Sequence, residues 1–391
     1  MEWLFGISIF ILIYTYAGYP IQLAIQAKRW PAPVRRDAIT PDVVMIVVGY
    51  NEGQRIASKI DTCLAQDYDP SHLRVLVASD GSTDNMCDVV ANHPDPRVSL
   101  LANPARRGKA ACLNDAVSHT QQPIIVFTDA RQRLHPQAVS RLVANFADPT
   151  IGAVSGELVF EDDHGSPFSE GIGAYWKYEK FIREHEALSG SVVGVTGALY
   201  AIRRECYHPI PAETILDDVA IPMLAAIKGW RISFESSAIA YDHPSHDAEK
   251  EKIRKVRTLA GNFQLLSLVK GITDPWVNPL WGRFFAHKVL RLICPIALVT
   301  ALSSHAALAF DGGELYRWTF FAHALGYLIV IASMRTPRLQ TSMPLRLCAT
   351  FLHLNLFVVL GFLSYATRQQ SHLWNRSTND RTATDSQKET P

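Results

Sequence analysis

Apolar residues are distributed along this chain in two regimes. Residues 3–27 are almost uncharged and largely apolar, and runs of the same kind return at about 289–310, 318–334 and 345–366. Each is close to the about 20 residues needed to cross a bilayer as a helix. Between them, from 37 to about 252, the pattern is finer. Apolar stretches of strand length, 43–48, 75–78 and 124–127, alternate with segments whose apolar residues recur at helical spacing, as at Ile56, Ile60, Cys63 and Leu64. Strands alternating with helices imply a mainly parallel α/β sheet with crossover helices.

The alternation loosens after Ile151. A short strand at 151–154 is followed by a helix over about 171–187, and 191–202 reads as extended chain interrupted by glycine. Val219, Ile221, Leu224, Ala225 and Ile227 form a helical face that Gly229 ends. A strand over 231–241 then leads to His243 and Pro244. From Lys252 to Gly271 an apolar stripe (Ile253, Val256, Leu259, Phe263, Leu266, Val269) runs beside Arg254, Lys255, Arg257 and Lys270. That pattern fits either a helix lying in the membrane interface or an ordinary domain-surface helix. Trp276 and Trp281 favour the interface.

These readings give an N-terminal transmembrane helix (1–30), a soluble catalytic domain (37–250), amphipathic interfacial helices (251–284), about three transmembrane helices (285–367) and a polar tail (368–391) of disordered composition. The first segment has only Glu2 where a cleavable signal needs basic residues, and Lys28, Arg29, Arg35 and Arg36 follow it. The positive-inside rule then places the soluble domain in the cytoplasm of a cell whose inner membrane holds the protein as a multi-pass chain. Arg335, Arg338 and Arg346 mark a second cytoplasmic loop. Four full crossings would leave the tail outside, whereas His353 and Asn355 allow the last segment to be partly buried or interfacial. Six cysteines without a C-x-x-C pair argue against a disulfide or zinc framework. A net charge of +1 and the lack of a basic patch argue against a nucleic-acid partner.

Chemistry concentrates where the apolar runs stop. One ends in Ser79-Asp80-Gly81-Ser82-Thr83-Asp84, another in Thr128-Asp129-Ala130-Arg131, and the first strand ends in Gly49-Tyr50-Asn51-Glu52. In open α/β sheets ligands bind beyond the carboxyl ends of the strands, so acids there are candidate ligand groups. Gly108-Lys109 and Asp217-Asp218 each open a helix. For the aspartates helix capping is the plain alternative to a catalytic role.

This ordered set resembles family 2 glycosyltransferases of the GT-A fold. It is most similar to the membrane-embedded bacterial branch that includes poly-N-acetylglucosamine, cellulose and hyaluronan synthases. The resemblance extends over almost the entire chain. It implies a GT-A, Rossmann-like domain flanked by transmembrane helices. It also implies inverting transfer of a hexose or N-acetylhexosamine from a nucleotide sugar, with UDP expected, to a growing surface glycan or lipid-linked acceptor. Asp80, Tyr50, Asn51 and Glu52 then border the nucleoside, and Lys109 lies near the phosphates. Asp218, after Asp217, matches the final acid of the T-E-D motif and would be the general base. Gly197 and Ala198 match the acceptor side. Asp129 opens a D-x-D motif that holds Mg²⁺ or Mn²⁺, with His243 as a further candidate ligand, yet Arg131 replaces the second acid. Arg131 could itself neutralise the diphosphate. The Q-x-x-R-W motif falls on residues 254–258, keeping Arg257 as a diphosphate-binding group and replacing tryptophan with Thr258. That loss favours transfer of one sugar to a polyprenyl-linked acceptor over polymerisation. Membrane lipid and accessory or export proteins are further expected partners. A non-catalytic nucleotide-sugar-binding subunit is the alternative from another class.

Overall fold

The structure, a computed structural model, describes residues 1–161, 167–243, 248–336, 342–369 and 373. Pro244, Arg338 and the polar tail after Leu373 lie outside the described residues. The chain opens with α1 (Glu2–Ile13) and α2 (Tyr19–Arg29), joined without a break by a π-helical turn. The soluble domain follows: β1 (Val43–Gly49), α3 (Ile56–Leu64), β2 (Leu73–Asp80), α4 (Met86–Ala91), β3 (Val98–Asn103), α5 (Lys109–Ser118), β4 (Ile124–Asp129), β5 (Arg133–Leu134), α6 (Ala138–Ala144), β6 (Ile151–Phe160), α7 (Pro167–Leu188), β7 (Tyr200–Arg203), α8 (Asp217–Ile227) and β8 (Arg231–Asp242). Beyond it run α9 (Ala248–Leu268), α10 (Trp281–Phe284), α11 (Leu290–Asp311), α12 (Glu314–Arg335) and α13 (Met343–Ala366).

The eight strands form one sheet in the order β3-β2-β1-β4-β7-β6-β8-β5. β3, β2, β1 and β4 are parallel neighbours, as the alternating strands and helices require. β7 enters antiparallel between β4 and β6, so the sheet is mixed rather than wholly parallel. Every residue of β1 is buried because helices cover both faces of the sheet. Val44, Ile46 and Val48 pack with Ala110, Leu113 and Ala116 of α5 and Ala220 and Met223 of α8. Val43, Met45 and Val47 pack with Ile56 and Ile60 of α3 and Val139 and Leu142 of α6. Each such side chain contributes about 1.5–3 kcal/mol by leaving water. The result is a rigid platform whose parallel strands deliver Gly49, Asp80 and Asp129 to one edge.

Among the described residues four helical segments are long and apolar enough to cross a membrane: Glu2–Arg29, Trp281–Asp311, Glu314–Arg335 and Met343–Ala366. They are tied to the domain in two places. Beneath α7, the Tyr19 hydroxyl donates to Glu186 (2.6 Å), and His287 sits between Glu186 (2.9 Å) and Glu179 (3.2 Å). Arg291 pairs with the same Glu179. Buried charges cost free energy unless each is partnered, so this network fixes α7 against the apolar helices. The second tie is α9. Its Leu259 and Ala260 back directly onto Gly361 of α13, and Phe263 meets Phe362 at 5.3 Å between ring centroids. Part of the apolar stripe is therefore covered by α13, while Ile253 remains exposed.

Candidate active site

Asp217 and Asp218 occupy the first turn of α8, where the helix dipole favours negative charge. The loop leading into α8 is held by α9: Gln264 accepts from the Ile215 amide (3.0 Å) and donates to the Glu213 carbonyl (2.8 Å). From the other side, the Val195 amide donates to the Asp218 carbonyl at 2.9 Å. These acids meet Asp129 from the tip of β4 through one cation. The Lys109 ammonium lies 2.8 Å from Asp129 and 3.1 Å from Asp217. Gly197 completes the group: a Cβ there would stand 3.7 Å from both the Asp218 carboxylate and the Lys109 ammonium. Five of the residues read from sequence, on four separate elements and loops, thus converge on one crevice.

The electrostatics follow from this crowding. Burial and the neighbouring Asp217 raise the Asp218 carboxyl to about 6, with Lys109 and Lys288 opposing the rise. Burial works against the Lys109 ammonium, but Asp129, Asp217 and Asp218 outweigh it and hold the lysine firmly protonated. Burial depresses the Arg257 guanidinium, against the pull of Asp217, Asp218 and Asp129. The buried Arg257 Nε has no hydrogen-bond partner among the described residues. A carboxylate poised near neutrality beside fixed cations has the properties a general base needs.

The neighbouring strand tips are clasped together. Asn51 takes a positive φ of 56°, and its side-chain oxygen accepts from the amides of Thr83 (2.8 Å) and Asp84 (3.3 Å). Asp84 in turn accepts from the Gly53 amide at 2.9 Å. Glu52 lies 3.6 Å from Arg55. Asp80 is fully buried, and its carboxylate accepts from the backbone amides of Arg107 (2.7 Å) and Gly108 (2.9 Å). It thereby fixes the loop that presents Lys109. Gly81, at φ +68°, lets that loop approach: a Cβ there would stand 2.6 Å from the Arg106 amide nitrogen. Arg106 stacks on the ring of Tyr50 at 3.9 Å, with its buried Nε and one terminal nitrogen unpartnered among the described residues. Ala198 is buried, and its carbonyl accepts from Thr128 at 2.7 Å. Below, the buried Lys59 ammonium donates to Thr128 (2.7 Å) and to the Gln132 carbonyl (2.8 Å), stiffening the end of β4.

Mg²⁺ and Mn²⁺ take hard oxygen ligands, commonly one or two carboxylates together with the phosphates of a bound nucleotide, so what decides a site here is whether a carboxylate at the end of β4 is free. Among the described residues no three His, Cys, Asp or Glu side chains converge on such a site. Asp129 is engaged by Lys109. Arg131 turns away from Asp129 to pair with the buried Asp242 at the end of β8, which Gln132 also contacts at 3.0 Å. His243 is exposed; its ring lies 3.8 Å from Glu161, and its backbone amide donates to Asp242 at 2.9 Å. The expected pairing of Asp129 with His243 as a metal site is therefore not matched by the residues present, because cations have taken the carboxylates it would use.

Sequence reasoning passed over Arg106, Tyr200, Asp242 and Lys288. Tyr200 is buried with an unpartnered hydroxyl; burial, then Asp217, pushes that hydroxyl well above the usual tyrosine range. Nothing marks it within an apolar strand. Lys288 stands at the head of the apolar run 289–310, which is a readable signal.

The profile of the family described as "Glycosyltransferase like family 2" matches residues 41–261, more than half of the chain. An N-acetylglucosaminyltransferase of Rhizobium meliloti is 25% identical over 355 residues, covering 83% of this chain and 79% of that protein. A beta-monoglucosyldiacylglycerol synthase of Synechocystis is 22% identical over 199 residues, 49% of this chain and 42% of its own length. Among solved structures, the mannosyltransferase PcManGT from Pyrobaculum calidifontis, in complex with GDP-Man and Mn²⁺, superposes with a TM-score of 0.72 at 25% identity. That match covers 94% of this chain and all of the other. With a GT-A sheet, strand-end acids in one crevice and a family match across the whole soluble domain, the chain belongs to glycosyltransferase family 2.

Proposed function

We propose that the protein is an inverting, membrane-integrated transferase that moves a hexose or N-acetylhexosamine from a nucleotide sugar to a lipid-linked or growing surface glycan. Asp218 takes the proton of the acceptor hydroxyl. The freed oxygen attacks the anomeric carbon from the side opposite the diphosphate, the bond from that carbon to the diphosphate oxygen breaks, and the nucleoside diphosphate leaves. The charge growing on the leaving oxygen is met by Lys109 and Arg257. The observation that carries this reading is the meeting of Asp218, Asp217, Asp129 and Lys109 beside Gly197, a residue with no side chain to stand between the base and an acceptor. Asp80 acts by holding the Arg106–Lys109 loop, and Tyr50, Asn51 and Glu52 border the nucleoside.

The four apolar helices support a location in the inner membrane, and the basic residues after Arg29 support a cytoplasmic catalytic domain. Thr258, exposed and bonded to the Arg254 carbonyl at 3.0 Å, stands where processive relatives carry tryptophan. It favours transfer of one sugar over polymerisation. A panel of UDP- and GDP-sugars offered to membranes containing the protein, with nucleoside diphosphate release as readout, tests the proposal. Release dependent on one donor and on an added lipid extract is expected; no release from any donor would refute it.

A further inference from the structure

Three features of the crevice bear on how the donor's diphosphate is neutralised. First, the two carboxylates at the ends of β4 and β8 are each paired to a cation. Asp129 holds Lys109, and Asp242 holds Arg131 as well as the Gln132 amide. Second, the position two residues beyond Asp129, where a second acid would complete an oxygen-ligand pair, is itself a guanidinium. A dication set against Asp129 would face the Lys109 ammonium without gaining a second carboxylate. Third, guanidinium N–H groups stand buried without acceptors among the described residues: Nε of Arg257, and Nε and a terminal nitrogen of Arg106. Buried unpartnered donors are rare in folded proteins and call for an acceptor. Arg257 faces Asp129, Asp217 and Asp218, and Arg106 stands over Tyr50 in the loop that presents Lys109. Phosphate oxygens are the acceptors that guanidinium geometry fits best.

We propose that this transferase neutralises the donor's diphosphate with Arg257, Arg106 and Lys109, and binds its donor without a divalent cation. The proposal rests on the nucleotide-sugar reading above and deepens it. It sets this chain apart from the archaeal mannosyltransferase, whose structure holds Mn²⁺ beside GDP-Man. Arg131 has a structural part in this arrangement, turning β4 and β8 toward each other through Asp242.

The test uses the full-length protein in detergent and measures UDP and GDP binding by calorimetry, once with EDTA and once with MnCl₂. The preferred nucleotide is expected to bind within about threefold in the two conditions. Arg257→Gln and Arg106→Gln should each weaken it by about tenfold or more, and should weaken the matching monophosphate much less. Arg257→Lys, which keeps the charge, should recover part of the loss and guards against misfolding as the cause. Binding that disappears in EDTA and returns with Mn²⁺ would overturn the proposal while leaving sugar transfer intact. So would glutamine variants of unchanged affinity. Failure of both nucleotides in both conditions would overturn the donor reading itself.

Discussion

If Asp218 is the base proposed above, it meets two conflicting demands, charge for the reaction and burial for the fold. Its carboxyl is raised to about 6 by burial and by Asp217, so the folded protein holds that proton more tightly than the unfolded chain does. Stability is therefore lost as pH rises from the ordinary carboxylate range through about 6, and the penalty is complete above it. Asp218→Asn removes the penalty. A gain of up to about 3 kcal/mol is expected at pH 8, nearly vanishing near pH 4, in denaturant titrations of the detergent-solubilised protein. Equal gains at both pH values would contradict the assignment. Activity has the opposite slope: kcat/KM should rise with pH through about 6 as the base ionises. Lys109 opposes the rise in Asp218, so Lys109→Met should move that limb to higher pH, and an unmoved limb would count against the contact seen here.

Among the elements, the strand tips depend on one another. Asn51→Ala removes acceptor bonds to Thr83 and Asp84 and puts alanine at a positive φ, which costs about 1–2 kcal/mol before the lost bonds are counted. Asn51→Gly keeps the backbone free, so thermal unfolding should rank wild type above glycine and glycine above alanine. The parallel half of the domain was legible in sequence because β1, β2 and β4 are buried on both faces and end abruptly in polar groups. Such runs leave little choice of structure. The Lys109 start of α5 and the acids opening α8 were readable for the same reason, since their positions at element ends are local. What was not legible is long-range. The partner of Arg131 is 111 residues away, and only the pairing of β5 with β8 brings them together. β7 enters the sheet antiparallel after an irregular stretch whose glycines gave no register, so the surroundings of Tyr200 could not be foreseen. Arg106 reads as one of several basic loop residues until the Tyr50 ring is placed beneath it.

At the scale of the whole molecule, the apolar helices are joined to the chemistry through α9. α13 presses Gly361 against Leu259 and Ala260, one turn before the Gln264 that holds the loop carrying Asp217 and Asp218. A Cβ at residue 361 would stand 2.8 Å from the Leu259 Cβ, too close for real side chains. Gly361→Leu should therefore separate the two helices and lower turnover at least tenfold, about 1.4 kcal/mol in activation free energy. Nucleotide affinity should fall as well, because Arg257 stands two residues before Leu259 on the same helix. A variant with full turnover would show that α13 serves anchoring alone. Membrane attachment is separately testable: alkaline carbonate should fail to extract the protein, and release into the supernatant would contradict four spanning helices.

On the proposed reading, Asp218 is the group that accepts the acceptor's proton. The most direct measurement compares wild type with Asp218→Asn in the same membranes, reading nucleotide-sugar binding and nucleoside diphosphate release side by side. The account predicts donor binding within about threefold of wild type and release reduced by three orders of magnitude or more, roughly the upper part of what general base catalysis contributes. Release by the asparagine variant at the wild-type rate would contradict it.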